Sequence, residues 1–171
     1  MAELTPQDRL QPALLDRLTD EEPDVKVESR DKRVISTRKL RECVLRDLSW
    51  LLNTTPLGQS IDLAEFPHVQ ETVLEYGLPD MAGVTLSGVN PGDIEKQIKT
   101  ALRRFEPRIL TRSLKVRAVL PEDAQHKNAL AFEIEGELWG QPMPMQLYLR
   151  SEIDLEDGSL TVVDRTEAGP A

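Results

Sequence analysis

Apolar positions recur at helical spacing through the earlier part of the chain and alternate with charged ones in the later part, so the pattern itself divides the molecule. Leu40, Val44, Leu48, Leu51 and Leu52 fall on one stripe, with Arg38, Glu42 and Arg46 opposite. Ser36 is placed to cap this helix and Ile35 to staple onto Leu40, and Asn53-Thr54-Thr55-Pro56 stops it. Pro67 opens a short helix through Val69, Val73 and Tyr76, and Gly77 ends it with a left-handed stop inside Tyr76-Gly77-Leu78-Pro79-Asp80, an architectural device. A third helix starts at Asn90-Pro91, with Asp93 in its first turn and a Val89 to Ile94 staple, and buries Ile94, Ile98, Ala101, Leu102 and Phe105. Upstream of all three, Leu10, Leu14, Leu15 and Leu18 predict a small amphipathic helix. It cannot bury its stripe alone, so it either folds back on the domain or docks in a groove of another chain.

Beyond Ile109 the period changes to two. Leu114, Val116, Ala118 and Leu120 alternate with Lys115 and Arg117; Leu130, Phe132, Ile134 and Leu138 alternate with Glu133, Glu135 and Glu137; Met143, Met145, Leu147, Leu149 and Ile153 alternate with Gln146, Tyr148, Arg150 and Glu152. Gly140-Gln141-Pro142 turns the second strand into the third. The fold expected is α+β, a three-stranded antiparallel meander with about three helices packed on one face. Lys115 and Arg117 opposite the glutamates fix the register by charge as well as by burial. Such a sheet has two edges: Leu160-Thr161-Val162-Val163 can cover one and a partner's strand another, unless Pro144, the charged face and the tail simply protect them. The organisation expected is an N-terminal extension over 1–33 holding the short amphipathic helix, one domain over 34–165, and a disordered tail over 166–171.

The handover from helix to strand falls on Phe105-Glu106-Pro107-Arg108-Ile109. A carboxylate in the last turn meets the partial negative charge of unpaired carbonyls, so something else should hold Glu106. Pro107 biases Glu106 away from helical angles, and the chain is expected to leave extended with Glu106 and Arg108 on the same side, open to a partner. The alternative is a plain helix stop with a solvated pair contributing about 0 to 1 kcal/mol.

A net charge of -9 argues against nucleic acid or an anionic membrane as the main partner. The single cysteine, Cys43, excludes an intrachain disulfide and reads as a packed thiol; with no signal peptide or bilayer-length apolar run, the cytoplasm is the expected location and direct membrane insertion is not expected. His68 and His126 lie far apart without ligand-spaced neighbours, so neither a metal nor another cofactor is expected. Glu133, Glu135 and Glu137 form a solvated ladder rather than an acid and nucleophile pair, and phosphate-loop and nucleophile-elbow motifs are missing. No catalytic residue is assigned, and a binding or assembly protein fits better than an enzyme.

Five stretches in order carry a resemblance: Glu28-Ser29-Arg30-Asp31, the helix from Leu40 to Thr54, Tyr76-Gly77-Leu78-Pro79-Asp80, Phe105-Glu106-Pro107-Arg108-Ile109, and Phe132-Glu133-Ile134-Glu135-Gly136. Together they resemble the TssE family, baseplate subunits of bacterial type VI secretion systems related to the small wedge subunit of contractile phage baseplates and once labelled lysozyme-like. The likeness spans about Arg9 to Leu155. It implies an assembly role without hydrolysis, at a baseplate docked to the membrane from the cytoplasm. It also implies that Glu106, Pro107 and Arg108 contact the wedge core of TssF and TssG, with TssK reached indirectly. The sheet half is implied to template the sheath proteins TssB and TssC. The rivals are an equivalent subunit of a phage or phage-derived tail, and a lysozyme-like peptidoglycan hydrolase.

Overall fold

A computed structural model describes residues 13–19, 23–24, 36–119, 128–139 and 144–166. The Ile35 staple, the Gly140-Gln141-Pro142 turn, Leu10, Leu120, His126, Met143, the Glu28–Asp31 stretch and the chain end from 167 lie outside the described residues.

Helix α1 is short, Leu14–Leu18, and α2 runs Thr37–Leu52. The Ser36 hydroxyl accepts the Lys39 N–H at 3.1 Å, and Leu40, Cys43, Val44, Leu48, Leu51 and Leu52 are buried along one side of α2, as the leucine spacing predicts. Helix α3, Pro91–Phe105, begins where the Asn90 side chain accepts the Gly92 N–H at 3.1 Å with Pro91 in the first turn, and it buries Ile94, Ile98, Ala101 and Leu102.

Between them the expected helix from Pro67 is instead two 3-10 turns, Pro67–Glu71 and Val73–Glu75. Thr72 separates them: its backbone is extended and its hydroxyl accepts the Leu74 N–H at 3.3 Å, a local bond that competes with the helical ladder. With the helix broken, Val69, Val73 and Tyr76 no longer share a stripe, and Val73 is exposed. Gly77 does stop this stretch at φ +132, and a Cβ there would sit 1.8 Å from the Thr54 carbonyl oxygen. Only glycine allows this approach, and Leu78 N–H then donates to that oxygen at 2.8 Å.

The sheet has four strands rather than three, ordered β1 (Lys115–Val119), β2 (Ala129–Leu138), β3 (Met145–Asp154) and β4 (Leu160–Asp164), all antiparallel. The added strand follows from the turn after β3, where the Asp154 and Asp157 carboxylates accept the N–H groups of Glu156 and Ser159, each at 2.8 Å, and send the chain straight back along β3. The register follows charge and burial together. Lys115 faces Glu135, Arg117 faces Glu133, and Glu133 faces Arg150 on the open side, while Val116, Ile134 and Leu149 line up on the core side. Phe132, Ile134, Leu149 and Ile153 are fully buried with Leu48, Leu51, Ile98 and Leu102 of the helices. Each such side chain contributes about 1.5–3 kcal/mol by leaving water.

Both sheet edges meet a helix side chain. Glu95 of α3 accepts the Ala118 N–H of β1 at 2.7 Å, and the Asn53 amide, at the end of α2, accepts the Leu160 N–H at 2.8 Å and donates to the Leu160 carbonyl at 2.7 Å. Among the described residues no helix is long and apolar enough to cross a membrane.

The same Asn53 amide donates to the Ser49 carbonyl at 2.8 Å, so one side chain closes α2 and pairs the edge of β4. Asn53→Ala should therefore lower the unfolding free energy by about 1–3 kcal/mol through the unpaired groups it leaves, read as a shift of the urea midpoint, whereas a change under 0.5 kcal/mol would remove Asn53 from this role.

Candidate functional site: the junction at the end of α3

Pro107 closes α3 with a tight turn and not with the extended exit expected from sequence. The Ile109 N–H donates to the Glu106 carbonyl at 3.2 Å, because the fixed φ of proline suits the second position of a turn as well as an extended chain. Beyond the turn, Leu110 N–H reaches the Glu137 carbonyl at 2.8 Å and Trp139 N–H reaches the Arg108 carbonyl at 2.7 Å, so the junction is stitched to the end of β2. Gly136 leaves room for it: a Cβ there would meet Ile109 Cγ2 at 3.0 Å.

Within the turn, Glu106 and Arg108 do lie on one side, as expected, but they engage each other. Arg108 Nε donates to Glu106 Oε1 at 2.6 Å and Nη2 to Oε2 at 2.5 Å, a bidentate fork; the Arg108 backbone N–H adds a bond to Oε1 at 3.2 Å. The carboxylate that the α3 dipole disfavours is thus held from inside the molecule, and Glu106 is only 3 % exposed. Arg108 keeps 22 % of its side chain exposed, and Pro107 beside it is exposed. The outward face of the junction is therefore Pro107 with the rim of Arg108, and Glu106 is the group that sets it.

A third member escaped the sequence reading. Arg108 Nη2 also donates to Asp47 Oδ2 at 2.6 Å, across 61 positions of chain. Asp47 in turn takes Arg46 Nε at 2.9 Å and Nη2 at 2.7 Å on its other oxygen, and Arg46 Nη1 reaches Asp16 of α1 at 2.7 Å. Arg46, expected on the solvent side of α2, is half-buried within this chain of alternating charge and lies 5.1 Å over the Trp50 ring. Tyr76 closes the cluster from above: its ring meets Phe105 edge-on at 5.2 Å and its hydroxyl donates to the Asp47 carbonyl at 3.4 Å.

Burial alone would pull the pKa of Arg108 down, but hydrogen bonds and attraction from Glu106, then Asp47, carry it above its ordinary value. Burial also pushes the Tyr76 hydroxyl up, helped by the charges of Asp47 and Glu106. The site is thus a fixed guanidinium, charged throughout the physiological range, with a proline beside it. Nε and Nη2 are engaged by Glu106 and Asp47, and Nη1 is buried without a hydrogen-bond partner among the described residues, so what the rim offers outward is a fixed positive charge beside an exposed proline and not an open fork. Among the described residues no group of three or more His, Cys, Asp or Glu is gathered to hold a metal.

Comparison with known proteins bears on the same residues. The family model described as "Baseplate wedge protein gp25" matches residues 38–143, more than half of the chain, and the matched span contains Asp47, Tyr76, the whole junction and Gly136. No curated protein and no solved structure gives a match.

Removing one member of a buried, hydrogen-bonded pair leaves the other uncompensated. Glu106→Ala should cost about 3–5 kcal/mol in urea unfolding, while Glu106→Leu combined with Arg108→Met should cost clearly less than the sum of the single changes. Additive losses would mean that the fork does not hold the turn.

Proposed function

The chain belongs to the baseplate wedge protein gp25 family, and on that premise we propose that it is a structural baseplate subunit of a type VI secretion system that joins the wedge core of TssF and TssG to the contractile sheath. The observation that carries this reading is convergence. Asp47 from the Leu40–Thr54 stretch, Tyr76 from the Tyr76–Asp80 stretch, Phe105 to Ile109, and Gly136 at the end of the Phe132–Gly136 stretch all meet at one junction. Four stretches distant in sequence thus build a single rigid surface feature, which suits a contact that must hold its geometry within a ring.

The charge of Arg108, fixed in place by Glu106 and Asp47, then attracts an acidic group of the wedge core beside Pro107, so little side-chain freedom is lost on binding. Pro107 holds the turn. Glu95 and Asn53 cap Ala118 and Leu160, and an edge of the sheet serves the first sheath ring of TssB and TssC as a template. TssK is reached only through the wedge core. The work of the subunit is assembly and not hydrolysis, carried out in the cytoplasm at the membrane-docked baseplate. A second reading has its own support, since the matched description names a baseplate wedge protein and no secretion component: an equivalent subunit of a phage or phage-derived contractile tail. Secretion or phage structural genes alongside would separate the two.

Arg108→Lys keeps a cation but loses the planar fork. This variant should remain folded by circular dichroism yet fail to co-purify with co-expressed TssF and TssG, and Glu106→Gln should weaken the same capture; capture equal to wild type in both would remove the junction from the interface. Purified protein should leave peptidoglycan undigested, and clear turnover would overturn the structural role.

A further inference from the structure

The charge chain that fixes Arg108 does not end within the family-matched span; its last member, Asp16, belongs to α1. This short helix sits on the domain the unusual way round. Leu14, Leu15 and Leu18 are 70 %, 45 % and 74 % exposed, whereas the Asp16 side chain is 7 % exposed against Arg46 and within reach of the Cys43 thiol. An amphipathic helix normally turns its leucines inward. Among the described residues the ion pair that ties α1 to α2 is that of the Asp16 carboxylate with Arg46, and Asp16 Oδ2 is buried without a hydrogen-bond partner, a cost that offsets part of the pair. No side chain caps the start of α1 either.

The face that Asp16 covers has a definite chemistry. Arg46 gives Nε and Nη2 to Asp47, so Nη1 is the donor left for a carboxylate from outside α2, with half-exposed Trp50 beneath the guanidinium and buried Cys43 beside it. Asp16 supplies that carboxylate from within the chain. We propose that α1 is a displaceable strap, with Asp16 occupying the Arg46 face of α2 until a partner's acidic side chain, set beside an apolar group that covers Trp50, takes its place. The inference rests on the baseplate reading for who that partner is, because the Arg46 face runs through Asp47 directly into the Arg108 junction. Strap release and junction engagement then occur on one continuous surface, so the N-terminal segment regulates how readily the subunit is incorporated.

Cys43 is the built-in reporter, being the single cysteine and 3 % exposed beside Asp16. In the full-length protein, maleimide labelling of Cys43 should be about tenfold faster in Asp16→Asn and Asp16→Ala than in wild type, the factor that loss of one modest contact produces. The urea midpoint should stay within error, which excludes labelling through global unfolding. Leu14→Ser combined with Leu18→Ser, which changes only exposed side chains, should label at the wild-type rate. Against a TssF–TssG complex titrated in the same buffer, Asp16→Asn should bind several-fold tighter than wild type, and Arg46→Gln weaker. Unchanged labelling in both Asp16 variants would overturn the strap. Faster labelling with unchanged or weaker binding by Asp16→Asn would overturn displacement by the partner. If wild type and Asp16→Asn alike fail to bind TssF–TssG while labelling is accelerated, the baseplate reading and its competing partner fall, and a strap over Cys43 alone is left.

Discussion

The bidentate pair between Glu106 and Arg108 is the constraint on which the rest of this molecule depends. A carboxylate at the C-terminus of a helix is electrostatically misplaced, and burying it adds a desolvation cost. Both penalties are met by one guanidinium two residues further on, brought back over the carboxylate by a proline turn. Because Glu106 is inside the protein, its partner is held at the surface in one orientation. The second carboxylate, Asp47, removes the remaining freedom by tying the turn to α2. A side chain as flexible as arginine, which loses substantial rotamer entropy whenever it is ordered, is thus ordered during folding.

The fold serves this arrangement. Helices α2 and α3 lie on the apolar side of a four-stranded meander, and the end of α3 is stitched to the end of β2 through Arg108 and Leu110. Gly136 accepts the Ile109 side chain, and Gly77 lets the Tyr76 segment lie against the end of α2 through the Thr54 carbonyl. Gly77 and Gly136 are therefore positions where backbone must approach backbone or a side chain must pass, and Pro107 fixes the turn at the junction. The charged side of the sheet stays free of this work, with Lys115, Glu133, Glu135 and Arg150 paired across strands.

Much of this was legible in the residues. Leucine spacing gave α2 and α3 with their caps, alternation gave three strands and their charge register, and the discomfort of Glu106 next to Pro107 marked the junction. Local rules reach only so far, however. Asp47 could not be assigned because its partner lies 61 positions away and nothing in helical spacing separates a solvated aspartate from a paired one. The same limit misplaced Arg46 on the solvent side. The segment from Pro67 misled because a single threonine offering its hydroxyl to the backbone outweighs a three-residue apolar spacing. From sequence the fourth strand is legible only as a cover for a sheet edge, since five residues carry little periodicity without the Asp154–Asp157 turn that returns them. Alternation and spacing report burial well, and they report long-range ionic partners hardly at all.

Family membership and geometry meet at the outward rim of the junction, where Pro107 and Arg108 are presented by groups fixed from behind. The most direct measurement is amide hydrogen exchange on the intact protein, free and bound to a TssF–TssG complex. New protection concentrated over residues 105–110 and the adjoining 44–50 turns of α2 is expected. Protection confined to the charged face of β2 and β3, with exchange over 105–110 unchanged, would contradict a subunit fastened through Arg108.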